Sequence, residues 1–148
     1  MKKILILLIF ILSNCGYQPI YLNNSTNSLI FKKIELIGDK NINRYIVSGL
    51  SIKESFNNYS FEKLILENSK TIIETAKNSK GQVESYKMII NIKMKIKNKE
   101  NYFLDKTFNE EFSYKNLDNK FNLSQYEINL QNNLLNKIIE EAIIYLNL

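Results

Sequence analysis

The sequence predicts an α+β domain: a four-stranded, mainly antiparallel sheet with two amphipathic helices packed on one face. Three observations lead there. Between residues 86 and 97, Tyr86, Met88, Ile90, Ile92, Met94 and Ile96 alternate with Lys87, Asn91, Lys93, Lys95 and Lys97, interrupted only by Ile89. That period of two marks a strand with one buried face. After the short polar loop 98–101, Tyr102, Leu104, Phe108, Phe112 and Tyr114 alternate again, so the two segments form a long antiparallel hairpin. Finally, Leu130, Leu134, Leu135, Ile138, Ile139, Ala142 and Leu146 recur at helical spacing and make the apolar stripe of a long last helix.

The elements follow in chain order. Residues 1–14 read as a secretory signal. Lys2 and Lys3 supply a positive start, and the unbroken apolar run 4–12 is far short of the ~20 residues needed to span a bilayer. Leu12-Ser13-Asn14-Cys15 resembles the processing site of bacterial lipoproteins, with Asn14 standing where Gly, Ala or Ser is usual. This resemblance implies a thioether-linked diacylglycerol and an acylated amine on Cys15, and no other cofactor. Each buried methylene adds ~0.8 kcal/mol, and more than one chain is needed for a stable anchor. Gly16 rather than Asp after the cysteine implies, by likeness to enterobacterial sorting, the outer membrane. Residues 15–28 form an aperiodic tether, with Tyr17 and Tyr21 suited to a headgroup zone.

The domain proper is expected at 29–148. Residues 29–37, rich in β-branched residues and closed by Gly38-Asp39, make strand one. Residues 41–56 make helix one, capped by Asp39 or Asn41, with Gly49 on its apolar stripe allowing a neighbouring backbone to approach. The stretch 61–76 reads as extended, with a bulge or break at Asn68-Ser69, and Asn78-Ser79-Lys80-Gly81 is a turn. Ser124 and Glu127 match a capping box that opens the last helix. On the hairpin, Asp105 and Glu111 share the outer face with Thr107 and Ser113, opposite the lysines of the preceding strand.

Composition excludes several chemistries. The chain holds no histidine or tryptophan, and Cys15 is its one cysteine. An intramolecular disulfide, a Cys/His zinc site and a histidine-based triad are therefore excluded. Glu110 and Glu111 should point to opposite faces of a strand, and Glu140 and Glu141 diverge on a helix, so neither pair converges on a substrate. Phosphate-cradling and nucleophile-elbow glycine motifs are missing too. An enzyme is not expected. The formal net charge of +5 leaves +3 once Lys2 and Lys3 are set apart. Basicity alone names no partner, because Lys, Asn and Ile dominate throughout, as codon bias in an AT-rich genome produces. Nucleic acid is a poor fit, since no RNP-like aromatic motif accompanies the lysines.

Two segments resemble the LptE family, the lipoproteins of lipopolysaccharide assembly. Cys15-Gly16-Tyr17-Gln18-Pro19-Ile20-Tyr21 is similar to the Cys-Gly-aromatic-x-Pro-aliphatic-Tyr opening of alphaproteobacterial members. Gly81, followed by Tyr86-Lys87-Met88, resembles the hairpin of the enteric form. The resemblance implies a non-catalytic protein that sits inside the LptD-like outer-membrane β-barrel, supports its assembly and contacts lipopolysaccharide. The chain ends within the last predicted helix, without the polar tail of some members. The family places basic contacts near the turn between the second and third strands and near the start of the last helix. Lys80 and Lys120 lie in those segments, with Lys77 and Lys115 close by. These four are the lipopolysaccharide-binding candidates, and solvated loop lysines are the plain alternative. The stripe Lys87, Lys93, Lys95 and Lys97 is a second candidate surface, for anionic ligand or barrel wall, against a solvated sheet face. A competing function is a lipid-binding accessory lipoprotein of a phospholipid transport system, with acyl chains held between sheet and helices.

Overall fold

The computed structural model describes residues 28–98 and 102–146; the signal, Cys15 and nearly all of the tether lie outside the described residues. The elements are β1 (Ile30–Ile37), α1 (Lys40–Gly49), β2 (Lys53–Glu54), β3 (Phe61–Lys77), β4 (Val83–Lys97), β5 (Tyr102–Lys115) and α2 (Lys120–Leu146). The α+β class and the two helices are as expected. The sheet itself is larger and mixed. It has five strands in the order β2-β1-β3-β4-β5, and β1 runs parallel to both β2 and β3. The reason is α1. A helix between two strands carries the chain back to the starting end, so the next strand enters parallel to the first. Only β3, β4 and β5 form the antiparallel meander.

Helix α1 begins where one of its two expected caps allows. The Asp39 carboxylate accepts from Asn41 N and Ile42 N at 2.8 and 3.0 Å. It ends earlier than the expected Phe56, because Ser51 takes a left-handed φ of 51°. Ser51 N then donates to Ser48 O and Ile52 N to Val47 O, closing the helix with the pair of bonds usually built around glycine. The freed chain turns back on β1, where Lys53 N bonds Leu29 O and Ser55 N bonds Phe31 O, and this makes β2. Helix α2 starts four residues before the expected capping box. Asn119 caps it, accepting from Phe121 N and Asn122 N. Ser124 lies inside the helix, and Glu127 instead accepts from the Tyr114 hydroxyl at 2.7 Å. A buried phenol tied to a carboxylate keeps its proton, so the Tyr114 pKa is pushed well above the usual phenol range, by burial first and Glu127 second.

The core lies between the sheet and the two helices. Leu64 and Leu66 of β3, Met88, Ile90, Ile92, Met94 and Ile96 of β4, and Leu134, Leu135 and Ile138 of α2 are buried there with Ile42 and Ile46 of α1. Each such side chain stabilises the fold by about 1.5–3 kcal/mol relative to exposure. The two helices meet at Gly49. A Cβ there would strike Cδ1 of Ile139, so the glycine admits a side chain of α2 rather than a backbone. Tyr45 Oη donates to Asn136 Oδ1 at 2.9 Å across the same contact. One aromatic departs from expectation. Phe112 stays 46% exposed on β5, while Phe108 packs edge-on against Tyr145 and Tyr114 lies between Tyr86 and Tyr126.

Strand β3 is unbroken at Asn68-Ser69; its irregularity falls between Glu74 and Lys77. Asn68 has another role. Its side chain accepts from Asp39 N at 3.1 Å and donates to Asp39 O at 2.9 Å and Ile37 O at 3.3 Å. Asn43 Nδ2 reaches the same Ile37 carbonyl. Gly38, at φ +99°, makes the turn, and its bare Cα lies against the Asn68 carbonyl. A buried amide thus replaces the next rung of the ladder, and β1 leaves the sheet there.

Candidate functional site

The four candidate lysines gather at one end of the sheet. The β3–β4 turn is held by Asn78, whose Oδ1 accepts from Lys80 N and Gln82 N, while Gly81 takes a left-handed φ of 78°. Lys77 sits at the last rung of β3, and Lys115 stands opposite Ser85 in the β4–β5 register. Asn116 fastens the chain entering α2 to β4, through Asn116 N to Glu84 O and Asn116 Nδ2 to Val83 O, each 2.8 Å. Lys120 Nζ then donates to Asn116 Oδ1 at 3.3 Å. Turn, strand end and helix start therefore share one rim.

Their charges are not equivalent. Lys77 pairs with Glu74 at 2.8 Å, and that hydrogen bond raises its pKa above the usual lysine value. Lys120 is engaged with a neutral amide. Among the described residues, Lys80 and Lys115 have no acidic partner, although Glu84 lies on the same rim. Such a rim suits an anionic headgroup: point-charge donors spread over a short arc, with no fork geometry to fix one phosphate.

The lysine stripe of β4 is different. Lys87 meets Glu111 at 2.9 Å and Lys95 meets Asp105 at 3.8 Å, as the outer-face register of the hairpin leads one to expect. Lys93 stands opposite Glu67 and Thr107, and Lys63 pairs with Glu35 on the same open face. A polar rung crosses its middle, from Asn109 to Asn91 to Ser69. Much of that positive charge is thus neutralised within the face. Glu110 and Glu111 do point to opposite faces: Glu110 reaches Lys137 of α2 and Glu111 reaches Lys87.

The sequence reading missed one feature outright. From Ser69 onward, among the described residues, β3 has β4 on one side and no strand on the other, because β1 pairs only as far as Glu67. Residues 69–77 are exposed, with Ile72 at 39% and Ile73 at 42%. The signal was Asn68, a polar residue at the core-facing position two after Leu66.

Among the described residues, no three His, Cys, Asp or Glu side chains gather as metal ligands, and no helix is long and apolar enough to cross a membrane. No protein-family model matches the chain, and no curated protein matches it by sequence. Solved structures do share its fold. A rare lipoprotein B from Shewanella oneidensis superposes with a TM-score of 0.50 at 14% identity, covering 78% of this chain and 91% of that one. Lipoprotein B from Nitrosomonas europaea gives a TM-score of 0.54 at 12% identity, over 85% of this chain and 88% of that one. The chain has the α+β fold seen in these bacterial lipoproteins.

Proposed function

We propose that this chain is an outer-membrane lipoprotein of the LptE type, anchored through acyl chains on Cys15, that binds an LptD-like β-barrel, supports its assembly and assists lipopolysaccharide transport and insertion at the outer membrane. The observation that carries the reading is the conjunction of two independent facts. The first is a lipoprotein-like processing segment ending at Cys15, followed by Gly16-Tyr17-Gln18-Pro19. The second is a fold shared over most of the chain with a rare lipoprotein B. Neither fact names the barrel; the family resemblance of the opening segment does.

The role is contact rather than catalysis. On this reading Lys80 and Lys115, with Lys77 and Lys120 beside them, face the phosphates of lipopolysaccharide. The phospholipid-carrier alternative would place acyl chains between sheet and helices, where Met88, Ile90, Leu134, Leu135 and Ile138 pack together. That packing favours the first reading.

The test is affinity purification of the full chain from envelopes, with intact-mass analysis of the recovered protein. The expected result is a mature chain starting at Cys15, heavier by its acyl groups, together with an outer-membrane barrel. An unmodified chain of full length, or an acylated chain that brings down no barrel, would overturn the proposal.

A further inference from the structure

We propose that the edge of β3 left open among the described residues pairs antiparallel with the same edge of a second copy of this chain, about a two-fold axis at Ile72. The pairing stands on the sheet alone and holds whether or not the chain meets a barrel. An unpaired edge presents a row of N–H and C=O groups that template another strand, and proteins usually blunt such edges with charge or bulges. The outer edge of β5 is blunted by Asp105, Lys106, Glu110 and Glu111. The β3 edge carries Thr71-Ile72-Ile73 at its centre, and its bulge is displaced to residues 74–77.

The charges flanking that centre select the occupant. Lys70, Ile72 and Glu74 lie on the same face of β3 as Leu64 and Leu66, and Lys70 Nζ reaches Gln131 of α2 on that side. An antiparallel self-pairing centred on Ile72 sets Lys70 of each copy opposite Glu74 of the other, twice over, and covers both Ile72 side chains at the axis. Opposite charges directly across a strand pair stabilise, and like charges destabilise. Moving the axis to Lys70 or to Glu74 sets a like charge against itself. An axis at Ile73 leaves both charges opposite uncharged residues. The edge is therefore complementary to itself in one register, which is the form a two-fold interface requires. Lys70 and Glu74 now hold the exposed partners Gln131 and Lys77, with the exposed Asp39 carboxylate near Lys70, and exchanging them involves no buried group.

The experiment follows from the same arithmetic. Tagged and untagged copies of the full chain are co-expressed, and the untagged chain recovered on the tag is measured. The wild type recovers its partner. Lys70→Glu paired with itself, and Glu74→Lys paired with itself, each lose roughly tenfold or more of that recovery, because two like-charge pairs replace two opposite ones. Tagged Lys70→Glu with untagged Glu74→Lys regains the wild-type level, as does the double variant with itself. Because the restored pairs carry the same substitutions as the failed ones, misfolding does not mimic the pattern, and neither does sharing a detergent micelle. A wild-type chain that recovers no partner overturns the proposal. So do single variants that self-associate as well as wild type, a mixed pair that stays apart, or a barrel strand found on this edge in place of a second copy.

Discussion

The two halves of β3 carry similar residues and meet different fates. In the first half Leu64 and Leu66 are 0% exposed, flanked by β1 and β4 and covered by the helices. In the second half Ile72, on the same face and no less apolar, stands 39% exposed, with β4 alone beside it among the described residues. Burial in a sheet is thus set by the neighbours a strand has, not by its own hydropathy. The divider is Asn68. Its amide meets the backbone of Ile37 and Asp39 and ends the parallel ladder, so the same strand is interior on one side of it and edge on the other.

That contrast can be broken by substitution, and the effects should fall in order. Leu66→Ala removes a fully buried side chain and should cost about 2–5 kcal/mol in denaturant unfolding. Gly38→Ala and Asn68→Ala attack the divider itself. The alanine at Gly38 would meet the Asn68 carbonyl from a left-handed backbone, and strain of this kind costs about 1–3 kcal/mol. Removing the Asn68 amide strands Asp39 N and leaves the Ile37 and Asp39 carbonyls only their bonds from Asn43, at a similar cost of about 1–3 kcal/mol. It should also speed amide exchange at Asp39. Asp39→Ala should cost about 1 kcal/mol through lost capping of α1.

The same cap gives a pH signature. Bonds from Ile42 N and Asn41 N hold the Asp39 carboxyl below the usual aspartate range. Its contribution is therefore present above the unfolded value of about 3.9 and lost as pH falls through the lower folded value. Asp39→Asn should retain a cap and flatten that acid limb. The smallest effect belongs to the edge: Ile72→Ala should leave monomer stability within about 0.5 kcal/mol of wild type. A loss as large as that of Leu66→Ala would erase the contrast.

The hairpin was legible except for the register shift at Ile96/Lys97, because period-two alternation with lysines outside and apolar residues inside favours one register that buries the core face. The last helix was legible in its stripe but not in its start. Two capping signals compete there, and only tertiary contact decides that Glu127 serves Tyr114 rather than the helix end. The parallel placement of β1 was hidden for a related reason: a strand followed by a helix is compatible with either direction until the closing turn at Ser51 is known. Phe112 shows the limit of alternation, since it lies on the correct face yet stays exposed. The candidate lysines were placed by resemblance, and their convergence on one rim is a property of the folded chain.

Residue-resolved hydrogen exchange along β3, at a dilution where the chain is monomeric, tests the division at Asn68 most directly. From Leu64 to Glu67 every amide should be slow, because both neighbours take hydrogen bonds. From Ser69 to Ile73 only alternate amides should be slow, those directed at β4, while the others exchange freely. An unbroken run of slow amides through Ile73, or fast exchange before Asn68, would contradict the account.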